Sequence, residues 1–136
     1  MSQDNIEIVR RIYEAVGHRD GITPFEFYAE DIVWDISHSR RAFLYSKPLY
    51  RGHEGVREAW RGVLSAFGKV DFEVEELIDA GDHVVAVIRE WEVGRSSGVP
   101  VEASHLAVLT LADGKVTHMR IFDDRREALE AAGLSE

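Results

Sequence analysis

DHVVAVIREWEV, residues 82–93, reads as a strand from the middle of a sheet. Its first half is β-branched and apolar, and its second half alternates Arg89, Glu90, Trp91, Glu92, Val93. Period-two alternation separates the two faces of a strand. Val85, Val87, Arg89, Trp91 and Val93 share one face; Val84, Ala86, Ile88, Glu90 and Glu92 share the other. The glutamates mark the second face as wet at its end. The Arg89 and Trp91 face is therefore expected inside, where an arginine needs a carboxylate or a ligand to meet it.

Outward from this strand, Asp71–Ile78 reads as its antiparallel neighbour, turned by Ala80, Gly81 and Asp82. Val101–Leu111 and Lys115–Phe122 flank Asp113-Gly114, the strongest short hairpin signal. A two-residue turn there sets Thr110 opposite Thr117, Val108 opposite Met119 and Leu106 opposite Ile121. On that register Ser104 faces Asp123, at the acidic end of an inward face. The opposite face carries Leu109, His118, Arg120, His105 and Phe122, mixed enough to predict a twofold homodimer through the sheet.

Toward the N-terminus, Ile6, Val9, Ile12, Tyr13 and Val16 share a helical face that Gly17 ends. Thr23-Pro24-Phe25-Glu26 is a capping box with proline at the first helical position, predicting a second helix through Tyr28 and Ala29. Ile32–Ile36 reads as a short strand. Residues 37–52 have no clean period, and His38, Arg40, Arg41, Tyr45 and Tyr50 lie in what reads as a loop folded over something. Val56, Trp60, Val63, Leu64 and Phe67 repeat at helical spacing and predict a third helix. Asp124-Arg125-Arg126-Glu127 opens a last short helix, which Gly133 ends.

Composition sets the bounds. The 136 residues make one domain, 1–136, and 45% hydrophobic content supports a real core. The absence of cysteine removes disulfides and thiol chemistry, and a net charge of −9 argues against nucleic acid. There is no apolar run of about 18 residues and no signal-peptide pattern, so a soluble, cytoplasmic protein without membrane contact is expected. Six histidines without ligand spacing predict no metal, and the lack of a glycine-rich phosphate loop predicts no cofactor.

The segments YRGHEGVREAW (50–60), LIDAGDHVVAVIR (77–89) and LADGKVTHMRIFDDRREALEAAGL (111–134) resemble the SnoaL-like branch of the nuclear-transport-factor-two superfamily. The resemblance runs from about Asn5 to Leu134. It implies an α+β, cone-shaped, cystatin-like barrel: three N-terminal helices on a strongly bent antiparallel sheet, around an apolar cavity. It also implies cofactor-free acid–base chemistry by a cavity aspartate, as in polyketide cyclases, ketosteroid isomerase and limonene epoxide hydrolase. The chain departs from the isomerase pattern, with Ile36 nearest its base position and Leu106 at its second aspartate.

The expected catalytic set is Asp123, Arg89, Asp35 and His38, acting on a small apolar or aromatic carbonyl or epoxide compound. Tyr13, Trp34, Tyr45, Trp60, Trp91, Leu106 and Met119 are the expected substrate-binding wall. His105 is a further candidate, although the hairpin register turns it away from the cavity. The alternative is a non-catalytic module that binds a hydrophobic molecule or a second subunit.

Overall fold

A computed structural model of the chain describes residues 2–17 and 25–134. Its α+β architecture runs α1 (Ser2–Gly17), β1 (Tyr28–Asp35), β2 (Leu49–Arg51), α2 (Gly52–Ala66), β3 (Phe67–Ala80), β4 (His83–Gly94), β5 (Pro100–Ala112), β6 (Lys115–Phe122) and α3 (Arg125–Ala131). The strands form one six-stranded sheet in the order β2-β1-β6-β5-β4-β3. All neighbours are antiparallel except β1 and β6, which run parallel, with Trp34 opposite Met119.

The predicted helix over Phe25, Tyr28 and Ala29 is corrected. Phe25–Phe27 is a single 3-10 turn and Tyr28 already opens β1. Thr23 and Pro24 of the predicted capping box lie outside the described residues. The placement of all three helices at the N-terminus is corrected too, because α3 follows the last strand. Its capping box works as read: Asp124 is the N-cap and its carboxylate accepts from Arg126 N.

Helices cover both faces of the central strands. On one face α1 and α2 bury Val9, Ile12, Val56 and Ala59 against Val84, Ala86, Ile88 and Leu109. On the other, Ala128, Leu129 and Ala132, at and just beyond α3, close over Val85, Leu106, Val108 and Phe122. Successive residues of β4 thus feed two different cores, which explains its uninterrupted apolar first half.

The hairpin turn forms as the sequence predicts, with positive φ at Asp113 (52°) and Gly114 (78°). Its register then departs from expectation. Leu111 pairs with Val116, but Thr110 pairs with His118, Leu109 with Met119 and Leu106 with Phe122. Thr117 is the extra residue of a β-bulge, its hydroxyl donating to Thr110 O at 3.3 Å. The bulge shifts every later pair of the hairpin by one residue, which regroups the two faces. The mixed face on which dimerisation was predicted therefore does not exist as one surface: Leu109 is in the first core and Phe122 in the second.

Candidate functional site

Between α1, α2 and the sheet lies a pocket of about 870 Å³, counting the space open to solvent at its mouth. Its wall is mostly aromatic and aliphatic. Trp34 meets Trp60 edge-on at 6.1 Å between ring centroids, Trp60 meets Phe72 at 6.0 Å, and Phe72 meets His105 at 6.2 Å.

Its polar end overturns the predicted facing of β4. Val84, Ala86 and Ile88 are fully buried under α1, and the same parity carries Glu90 and Glu92 inward, at 7% and 3% exposure. Arg89 and Trp91 are on the opposite face. Arg89 is half exposed, 3.3 Å from Glu102 and 3.7 Å from Glu75, with its guanidinium over the Trp91 ring. Two buried carboxylates are tolerated because a cation reaches them from far along the chain. Arg41 Nη1 donates to Glu90 Oε1 at 3.0 Å and Glu92 Oε1 at 2.7 Å, and Nη2 donates to Glu92 Oε2 at 2.9 Å.

Arg41 sits on a 3-10 turn, Arg40–Leu44, in the stretch expected to fold over something. Ser39 caps that turn, its hydroxyl accepting from Arg41 N at 3.1 Å and donating to Asp123 Oδ1 at 3.3 Å. Asp123 Oδ2 accepts from Arg40 N at 2.6 Å. Asp123 thus works as the outer anchor of the segment that carries Arg41 inward.

His105 completes the cluster. On β5 it lies opposite Ile88, which makes Glu90 its diagonal cross-strand neighbour. His105 Nδ1 and Glu90 Oε1 are 2.9 Å apart. The expectation that His105 faces away is therefore corrected, because Leu109, Ala107 and His105 pair with Val84, Ala86 and Ile88 and share their inward side.

The electrostatics follow from these contacts. Burial pushes the Glu90 carboxyl up, but its hydrogen bond to His105, with the His105 and Arg41 charges, outweighs burial and holds its pKa below the ordinary value. Burial works against the Arg41 cation, and Glu92 and Glu90 more than restore it, so its pKa rises. Tyr13, Tyr28 and Tyr45 line the same pocket, and burial foremost pushes each phenol well above its usual pKa. They stay neutral hydroxyl donors.

Of the predicted binding wall, Tyr13, Trp34, Tyr45, Trp60 and Met119 line the pocket. Trp91 is on the outer face and Leu106 is in the core under α3. None of the predicted catalytic four lines it. Arg89 and Asp123 are placed as described above. Asp35 accepts from Ser37 N at 2.9 Å and from its hydroxyl at 2.5 Å, and stands 3.6 Å from His38 Nε2. His38 stacks on Phe122 at 4.8 Å. Sequence reasoning passed over Glu90, Glu92 and Arg41 as site residues. The unbroken parity of β4 was the available signal for the glutamates; nothing local signalled Arg41. Among the described residues no cluster of histidine and carboxylate groups is arranged to hold a metal ion.

Residues 9–119 match the model of the SnoaL-like domain. None of the curated proteins matches the chain. Solved structures share its fold. TerC, crystallised with polyporic acid, is 24% identical over 96% of this chain and 98% of its own, with a TM-score of 0.77. A protein from Jannaschia sp. CCS1 named as a SnoaL-like polyketide cyclase is 24% identical over 98% and 94%, at 0.71. A protein with a ketosteroid isomerase-like fold from Catenulispora acidiphila, in complex with trimethylamine, is 16% identical over 94% and 93%, at 0.72. With the family model covering most of its length, the chain belongs to the SnoaL-like domain family.

Proposed function

We propose that this protein binds a small, mostly apolar or aromatic carbonyl compound in the pocket and moves a proton next to the carbonyl without a cofactor. The observation that carries this reading is the 2.9 Å contact between His105 Nδ1 and Glu90 Oε1 inside an aromatic pocket. A carboxylate that accepts from Nδ1–H holds the imidazole in the tautomer whose Nε2 lone pair is free, and it stabilises the imidazolium that forms. The aspartate chemistry expected from sequence gives way to this dyad, since Asp123 and Asp35 lie elsewhere.

In the proposed step, His105 Nε2 takes a proton from the carbon beside the carbonyl. The C–H electron pair moves into the carbonyl, and the resulting enolate oxygen accepts a hydrogen bond from a neutral tyrosine hydroxyl, Tyr13 or Tyr45. The imidazolium returns the proton to a different carbon in an isomerisation. In a cyclisation the enolate carbon attacks a second carbonyl and the new alkoxide takes the proton. Both outcomes are redox-neutral and need only the groups named.

A second reading, binding without turnover, is favoured by the closed pairing of Arg41 with Glu92 and Glu90, which commits the strongest charges to one another. The two separate in deuterated water with 2-tetralone, whose protons beside the carbonyl are exchangeable. Catalysed exchange, cut about 100-fold or more in His105→Gln with binding retained, supports proton transfer. Tight binding with no exchange above the buffer rate overturns it and leaves the binding reading.

A further inference from the structure

The polar end of the pocket is out of balance in charge. Among the described residues that line it, Glu90 and Glu92 are the carboxylates and Arg41 is the permanent cation. With His105 neutral, as its role as base requires, two buried negative charges meet one positive charge. A buried charge left unmatched is costly, so the missing positive charge calls for a source.

The hydrogen bonds locate the deficit. Both oxygens of Glu92 accept from Arg41. Glu90 is 7% exposed, and its Oε1 takes both of its contacts, Arg41 Nη1 at 3.0 Å and His105 Nδ1 at 2.9 Å. Glu90 Oε2 accepts nothing from the described residues. It is not among the side-chain atoms sealed from solvent without a partner, so it keeps an open surface in the pocket that Glu90 lines. Aromatic rings lie close by. Phe72 meets His105 edge-on. The Tyr13 and Tyr45 phenols, raised first by burial, also respond to the Glu90 charge, yet neither donates to it.

We infer that the pocket takes a cationic ligand, a protonated amine carried near the reacting carbonyl, whose N–H is received by Glu90 Oε2. This rests on the reading of the pocket as a carbonyl site and names the second functional group of the substrate. The class is an amino ketone on an apolar or aromatic body. Its ammonium brings the cluster to neutrality, and aromatic faces attract cations. Arg41 and His105 both meet Oε1, so the ammonium takes the other oxygen of the same carboxylate. A ligand carboxylate would instead add a third negative charge. The net charge of −9 draws cations toward the chain as a whole. The ammonium also withdraws electrons from the carbon beside the carbonyl, which makes that C–H a better proton donor to His105 Nε2.

The test uses three probes of one shape: tetralin, the neutral alcohol 2-tetralol, and 2-aminotetralin, which is protonated at neutral pH. By calorimetry the amine binds the wild type about tenfold more tightly than the alcohol, and Glu90→Gln brings the two within about twofold. In the wild type the amine moves the carbon-13 signal of the Glu90 carboxyl, assigned through its backbone, and tetralin does not. That reading does not depend on the folding of the variant. An alcohol that binds as tightly as the amine, an amine preference kept in Glu90→Gln, or a Glu90 carboxyl signal that ignores the amine overturns the inference. The amine preference without deuterium exchange at 2-tetralone removes proton transfer and leaves the cation site. Exchange without an amine preference does the opposite.

Discussion

Arg41 grips Glu92 with two parallel hydrogen bonds of 2.7 and 2.9 Å, joining a surface turn to the buried face of the central strand. Such a fork holds position as well as charge. It decides which face of β4 is inside and closes the loop over the pocket.

Arg41→Met removes the guanidinium that meets Glu90 and Glu92 and leaves both carboxylates buried. Breaking one side of a buried ion pair costs about 3–5 kcal/mol, so a melting temperature lowered by many degrees is expected. A melt within a degree or two of wild type would show that the carboxylates do not depend on it.

Glu90 carries a pH dependence. Its folded pKa is below the ordinary 4.5, so its ionised form adds stability at neutral pH. That contribution is lost as pH falls through the folded value. Glu90→Gln is expected to melt lower than wild type at neutral pH, with the gap narrowing on acidification below about pH 4. Thermal melts across that range check it, and a constant gap would contradict it.

Asp123→Asn weakens the anchor at Ser39 and Arg40. The loss of charge-assisted bonds is expected to destabilise the chain by about 1–2 kcal/mol and to speed hydrogen exchange at the Arg40 amide. Any effect on ligand binding then comes through Arg41. Lost turnover with unchanged melting and exchange would return Asp123 to a chemical role.

Arg89→Met acts on an outer face, where its partners Glu75 and Glu102 are themselves well exposed. Exposed pairs contribute little, so the change should stay within about 0.5 kcal/mol, with ligand affinity unaltered by calorimetry. A marked loss of affinity would place Arg89 in the binding path after all.

Local pattern was enough for much of this protein. The strands from Asp71 to Phe122, the Asp113-Gly114 turn, the Asp124 cap and the helical faces of α1 and α2 all follow from periodicity and capping chemistry, which act over a few residues. The same parity sorted the residues of β4 into two faces, Glu90 and Glu92 together and Arg89 and Trp91 together. Which face is dry was decided elsewhere, by Arg41, 49 residues before Glu90 and 51 before Glu92. A buried charge is acceptable only with its partner in place, and nothing beside the glutamates records that partner. The same holds for His105. It stands opposite Ile88, so its side follows the face of β4 that is buried, while the bulge at Thr117 only changes which β6 residues stand beside β5, a matter settled by packing after each strand's own pattern has been satisfied.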